Sequence, residues 1–134
     1  MPVIEGTTGL KSAQGEYDFD VDGGAVSTIT LRSGPTDGGD LPQGSVILGG
    51  YIEVDTILTS GGSATVSVGS EAAADLQAVA AISGAPWSST GRKAVVPVFT
   101  AATSIKTTAR RSLSIAIATA ALTAGKFRVV VFYR

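Results

Sequence analysis

The chain has 134 residues and a net charge of −1, and 44% of its residues are apolar although only 6% are aromatic. This length supports one domain, whose core must be built mainly from small aliphatic side chains. The sequence holds no cysteine and no histidine, which excludes a disulfide framework and thiolate chemistry and argues against a zinc site.

Neither a leader nor a membrane span is visible in the sequence. Residues 1–5 lack the basic start and apolar run of a signal peptide. The apolar runs are far shorter than the ~20 residues that a membrane helix needs. We therefore expect no membrane partner.

The small net charge hides an asymmetry between the two halves of the chain. Residues 1–75 contain all eleven acids and two bases, a net −9, whereas residues 76–134 contain eight bases and no acid, a net +8. One interpretation is that the halves interleave in a single sandwich, so that charges meet as cross-strand pairs. The other is a dipolar protomer whose acidic surface meets a neighbour's basic surface.

Residues 1–16 show no clean periodicity, and we predict an extended N-terminal arm or an edge strand. A single domain is predicted over residues 17–134. It begins with a short strand in which Tyr17, Phe19 and Val21 alternate with three aspartates. The string from Asp18 to Gly23 resembles the start of a calcium loop, but the twelfth position is Ile29 instead of glutamate, so no metal site is expected.

The middle of the chain predicts strands, turns and one helix. A strand over residues 25–32 and a loop over 33–44 lead to a β-hairpin at 45–70, with arms at 51–58 and 64–68. Ser70 as N-cap, Glu71 and the following alanines then predict a short helix or helical turn near 71–82.

The only tryptophan, Trp87, either closes an open end of the core or serves as an exposed anchor for a partner. A strand over residues 93–99 is placed at an edge or a bulge because Pro97 cannot donate a ladder hydrogen bond. Further strands are predicted around Ile105 and over residues 111–118.

The last strand, residues 126–134, is apolar on both faces. Phe127, Val129, Val131 and Tyr133 share one face, while Val130 and Phe132 lie on the other. Such a strand is usually covered on both sides, either by the predicted helix at 71–82 or by a subunit interface. About eight strands with regular turns predict an all-β fold: a two-sheet antiparallel β-sandwich, jelly-roll-like, with the one short helix.

The sequence offers little chemistry. None of the four lysines follows a Ser-x-x-Lys pattern, and no carboxylate pair is placed to act as acid and base. We expect no catalytic residues, no metal and no cofactor, and hence no enzyme. Lys106, Arg110 and Arg111 form a basic cluster, but stacking aromatics are missing around it, so we do not expect nucleic acid as a partner.

Four segments together resemble a family of small virion proteins of tailed bacteriophages and prophages, the capsid decoration or cement proteins. The segments are Tyr17-Asp18-Phe19 with Gly23-Gly24-Ala25, Leu41-Pro42-x-Gly44-x-Val46-Ile47, the run from Thr59 to Val66 and on to Gly69, and the run from Ile115 to Phe127.

The resemblance implies a non-enzymatic β-sandwich that binds the exterior of a head shell and stabilises it, as a homo-oligomer and often a homotrimer. The implied partners are the major capsid protein and other copies of the chain, and the implied location is the outside of the virion capsid, after synthesis in the host cytoplasm. The predicted interface residues are Trp87, Arg110, Arg111, Val130 and Phe132. The alternatives are a tail or neck component and a β-module that binds carbohydrate or the host surface.

Overall fold

The structure, a computed structural model, describes residues 11–32, 40–94 and 105–134. These residues form ten strands and one helical turn, in chain order β1 (Lys11–Asp18), α1 (Phe19–Asp22), β2 (Thr28–Thr30), β3 (Asp40–Leu41), β4 (Ile47–Ser60), β5 (Thr65–Gly69), β6 (Gln77–Ala81), β7 (Gly91–Ala94), β8 (Arg111–Ser112), β9 (Ser114–Ala118) and β10 (Leu122–Tyr133). The described residues contain no helix long and apolar enough to cross a membrane.

Two four-stranded antiparallel sheets form the body of the molecule. Sheet I has the strand order β1-β10-β4-β7, and sheet II has the order β2-β9-β5-β6, while β3 and β8 form a separate short pair. Most strands are followed along the chain by a strand of the other sheet. Eight strands in these two orders, with most connections crossing from one sheet to the other, have jelly-roll topology, so the predicted all-β sandwich is confirmed.

The core lies between the sheets and is built mainly from aliphatic side chains on alternate strand positions. Its largest member is Trp87, which is fully buried. The Trp87 ring lies 4.9 Å from that of Phe127, and its Nε1 donates a 3.2 Å hydrogen bond to the carbonyl oxygen of Val66. Of the two alternatives for Trp87, the core residue is therefore correct.

The hairpin predicted for residues 45–70 is wrong. Its two arms do form strands, but β4 pairs with β10 and β7 in sheet I, whereas β5 pairs with β6 and β9 in sheet II. The glycine-rich segment between them carries the chain across the sandwich. An alternating pattern shows which face of a strand is buried, but it does not name the strand's partner.

The helix predicted near 71–82 is also wrong. Residues 70–76 form turns, in which the buried Asp75 carboxylate accepts hydrogen bonds from the backbone N–H groups of Ser70 at 2.7 Å and Ala72 at 3.0 Å. The chain then continues as β6, paired with β5. Asp75 satisfies backbone donors in a non-helical conformation, and pairing with β5 outweighs the helix propensity of the alanines.

The strand predicted over residues 17–21 lies several residues earlier. β1 runs from Lys11 to Asp18, across the predicted end of the N-terminal arm, and it is an edge strand. Asp18 then caps α1 by accepting a 3.0 Å hydrogen bond from the backbone N–H of Asp20, and Val21 is 65% exposed. Residues 1–10 lie outside the described residues. The same holds for the strand predicted over residues 93–99, from residue 95 onwards.

Candidate interaction surface

The outer face of sheet I carries an apolar patch. The inner face of β10 is filled by fully buried valines, so its alternate residues Val130 and Phe132 face outward and are half-buried. The register places Val130 opposite Tyr51 of β4 and Phe132 opposite Gly49. The rings of Tyr51 and Phe132 lie 6.1 Å apart. These side chains form a continuous apolar surface on the side of the sheet that faces away from the core.

A bulge adds an exposed leucine to this surface. The register between β4 and β10 shifts after Phe132, so that Tyr133 pairs with Ile47 and Leu48 has no partner residue on β10. Leu48 is 54% exposed. Bulges frequently re-aim a side chain at functional positions. We call Leu48, Tyr51, Val130 and Phe132 the outer patch.

Charged residues flank the outer patch on the same sheet. The Arg92 guanidinium lies 4.7 Å from the centroid of the Tyr51 ring, a cation–π contact. Glu53 accepts from Arg92 at 3.5 Å and from Arg128 at 3.4 Å, and Lys126 lies 3.6 Å from Glu16. Exposed pairs like these stabilise a protein by at most about 1 kcal/mol each. They do place a fixed pattern of positive and negative charge on the sheet beside the outer patch.

These ion pairs also decide between the two interpretations of the charge asymmetry. Each of them joins an acid from residues 1–75 to a base from residues 76–134, and so does the 2.7 Å contact between Glu71 and Arg111. The two halves of the chain therefore interleave, and their opposite charges meet inside one protomer.

The five predicted interface residues are not brought together. Val130 and Phe132 belong to the outer patch, whereas Trp87 is buried in the core and presents no surface to a partner. Arg111 is held by Glu71 through two hydrogen bonds of 2.7 and 3.1 Å. Arg110 is exposed near the start of β8. The predicted covering helix does not exist, so the alternative of an interface over Val130 and Phe132 remains.

Sequence reasoning missed Leu48, Tyr51 and Arg92 as members of this surface or its border. Tyr51 could have been found, because its outward parity on β4 is readable from the sequence. Leu48 could not, because its exposure depends on a bulge in the pairing with β10. No local sequence pattern specifies that shift of register.

The aspartates after β1 serve local structure. The Asp22 carboxylate accepts a hydrogen bond from the backbone N–H of Asp18 and is paired with Arg32 at 3.1 Å, which raises the pKa of Arg32. Tyr17 donates to the carbonyl oxygen of Gly23 at 2.6 Å, and burial together with Asp22 raises the pKa of Tyr17 to about 12. Among the described residues no group of three acidic side chains is placed to hold a metal ion.

The fold and this surface define a small jelly-roll β-sandwich with an apolar outer patch. No protein-family model matches the chain, and no curated protein matches it. Solved structures share its fold. A chain of the cyanophage Pam1 capsid asymmetric unit matches with a TM-score of 0.64 at 19% identity, covering 99% of this chain and 89% of that one.

Two further capsids contain a chain of similar structure. A chain of the acid-stable capsid of Helicobacter pylori bacteriophage KHP30 matches with a TM-score of 0.60 at 16% identity, covering 92% of this chain and 86% of that one. A chain of the capsid of Ralstonia phage GP4 matches with a TM-score of 0.61 at 16% identity, covering 98% and 87%. At these identities the likeness shows a shared fold.

Proposed function

We propose that this chain is a non-enzymatic structural protein of a bacteriophage virion, a decoration or cement protein that binds the outside of the head shell as a homo-oligomer. The observation that carries the proposal is the shared fold with chains of three phage capsids over nearly the whole length of both chains. Because each chain covers most of the other, the likeness is to an entire small chain and not to one domain of a large capsid protein.

The outer patch gives this role a physical basis. Burying Leu48, Tyr51, Val130 and Phe132 against the major capsid protein would remove apolar surface from water. The charged border with Glu53 flanked by two arginines would orient the contact. A shell presents the same surface many times, so weak contacts repeated within one oligomer add up to firm binding.

The first experiment locates the protein in the particle. Virions of the phage that encodes this chain are purified and separated into heads and tails, and the chain is quantified by mass spectrometry in each fraction. The proposal expects it in the head fraction in many copies. Its presence in tails alone would favour the tail or neck alternative, and its absence from virions would overturn a structural role.

A matched pair of variants tests the outer patch. Leu48→Lys introduces a charge into the patch, and Val21→Lys introduces the same charge at an exposed valine on α1, outside the patch. Added to shells that lack the protein, Leu48→Lys should bind about tenfold or more weakly, because a lysine would have to lose its hydration at the contact. Val21→Lys should bind like the wild type. Equal binding by both variants would exclude the patch from the contact.

The structure does not favour the carbohydrate-binding alternative. Sugar sites use exposed aromatic platforms, and the two aromatic side chains that could supply one are poorly placed: Trp87 is buried, and one face of the Tyr51 ring is occupied by Arg92. A glycan array should therefore show no binding.

A further inference from the structure

The four edge strands of the sandwich differ in charge. Sheet I ends at β1, which carries Lys11, Glu16 and Asp18, and at β7, which carries Arg92 and Lys93. Sheet II ends at β2, with the sequence TIT, and at β6, with the sequence QAVAA, and neither strand holds a charge. Proteins commonly place charges on edge strands to prevent pairing with another chain. Sheet I has this protection at both edges, and sheet II has it at neither.

An exposed valine lies on or beside each edge of sheet II, and among the described residues neither edge is covered by a further strand of the sheet. Val79 of β6 is 63% exposed, and Val26, two residues before β2, is 56% exposed. Within the described ranges β6 has no strand partner besides β5, and β2 has none besides β9. Two contacts close the ends of these edges: Arg32, just after β2, is paired with Glu16 of β1, and the Gly84 N–H donates to the Ala81 carbonyl oxygen at the end of β6. Between those ends each edge can accept one more strand through backbone hydrogen bonds.

The two edges match in length and direction. Hydrogen bonds of 2.9 Å from Ile117 to Ser27 and from Leu31 to Leu113 extend the pairing of β2 to residues 27–31, as many residues as β6 contains. All pairs in sheet II are antiparallel and the sheet has four strands, so β2 and β6 run in opposite directions. A second copy placed in the same orientation would set its β2 antiparallel to β6 of the first.

We propose that copies of this chain join head to tail, with β6 of one copy pairing with residues 27–31 of the next, in a closed ring. A contact between two different edges of one subunit generates a ring when the rotation closes. Because both edges lack charge, the pairing brings no like charges together. The inference deepens the homo-oligomer of the proposed function and rests on it, but its test needs no virion, so either proposal can fail without the other.

The test compares three lysine variants of the full chain by light scattering over a range of concentrations. Val79→Lys places a charge on β6, Val26→Lys places one directly before residues 27–31, and Val21→Lys is the matched control on α1, where the valine is 65% exposed. We expect the wild type and the control to form the same oligomer. Each edge variant should raise the concentration of half-dissociation about tenfold or more, because a charge on an edge strand opposes pairing.

Mixing the two edge variants distinguishes head-to-tail pairing from a twofold contact. The Val26→Lys chain keeps an intact β6 edge and the Val79→Lys chain keeps an intact β2 edge, so an equal mixture should form dimers and nothing larger. A wild type that stays monomeric, an edge variant with the wild-type mass, or a mixture without dimers would each overturn the proposal. Loss of assembly in Val79→Lys alone would instead indicate twofold pairing of β6 with itself.

Circular dichroism checks that every variant is folded. If a lysine variant does not fold, Val79→Asp and Val26→Asp place the opposite charge at the same exposed positions. We expect these variants to have the masses predicted for the lysine variants, both alone and in the mixture.

Discussion

Glu71 connects the turn after β5 to the residues that lead into β8. Its carboxylate accepts hydrogen bonds from Arg111 at 2.7 and 3.1 Å and from the Thr108 hydroxyl at 2.6 Å. Hydrogen bonds from Arg111 and then Thr108 to the charged form lower the pKa of Glu71 from its ordinary value of 4.5 to about 2. The same pair raises the pKa of Arg111.

This contact predicts a pH-dependent contribution to stability. A carboxylate with a lowered pKa in the folded state stabilises the protein above its unfolded pKa, and this contribution is lost as the pH falls from about 4.5 through about 2. Glu71→Gln should therefore lower the urea midpoint at pH 7, and the difference from the wild type should shrink towards pH 2. Asp55→Asn, which removes an exposed carboxylate of β4, is the control. A difference that stays constant with pH would contradict the assignment.

Trp87 is the second residue whose substitution should lower the stability of the protein. Trp87→Phe loses the hydrogen bond to Val66 and part of the packing against Phe127, which should lower the free energy of unfolding by about 1–3 kcal/mol. Tyr51→Phe on the outer face changes a half-buried ring and should stay within about 0.5 kcal/mol of the wild type. Urea unfolding followed by circular dichroism measures both. Equal effects would mean that Trp87 does not anchor the core.

At the scale of the elements, β4 and β10 are the two longest strands, and they pair with each other. The register of this pairing shifts at several positions. Gly125 lies where the register shifts, with φ +144°, and a Cβ built there would meet Leu58 Cδ2 at 2.6 Å. Glycine is required at this position for both reasons. Gly49 lies in the same ladder, but a Cβ there would meet nothing within 4 Å.

Two glycine substitutions test this reading of the ladder. Gly125→Ala should destabilise the protein by more than about 1 kcal/mol, because the backbone conformation is strained for alanine and Leu58 must move. Gly49→Ala adds the same methyl group in open space and should change the stability little. Thermal unfolding measures the stability of both variants. A Gly125→Ala variant as stable as Gly49→Ala would contradict the geometry.

At the scale of the whole molecule, every neighbouring pair of strands in both sheets joins the first half of the chain to the second. In sheet I, β1 and β4 alternate with β10 and β7, and in sheet II, β2 and β5 alternate with β9 and β6. This arrangement explains why a chain with −9 in one half and +8 in the other can form a sandwich with paired charges. It also means that neither half can complete a sheet alone.

The alternation predicts the behaviour of two fragments cut between β5 and β6. Residues 1–75 and residues 76–134 should each lack a cooperative unfolding transition, because each strand of either sheet loses all its neighbours. Mixed at low salt, the oppositely charged fragments should associate and regain β structure, as judged by circular dichroism. A cooperative transition in either fragment by itself would refute this prediction.

Local features could be predicted from the sequence: an all-β chain, a core of small aliphatic side chains, the buried faces of most strands, and the outward direction of Val130 and Phe132. These follow from a period-two pattern that any short segment displays on its own. The absence of cysteine and histidine, also visible in the sequence, excludes disulfides and thiolate chemistry and argues against a zinc site.

Which segments pair with each other depends on contacts between distant parts of the chain. Residues 77–81 became β6 because β5 offers them a ladder, and residues 45–70 cross between sheets because the partners of β4 come from β7 and β10, far along the chain. Leu48 joined the outer patch through a bulge that exists only in that pairing. A jelly roll is held together by contacts between distant segments, and local sequence patterns carry no information about which distant segment will be the partner.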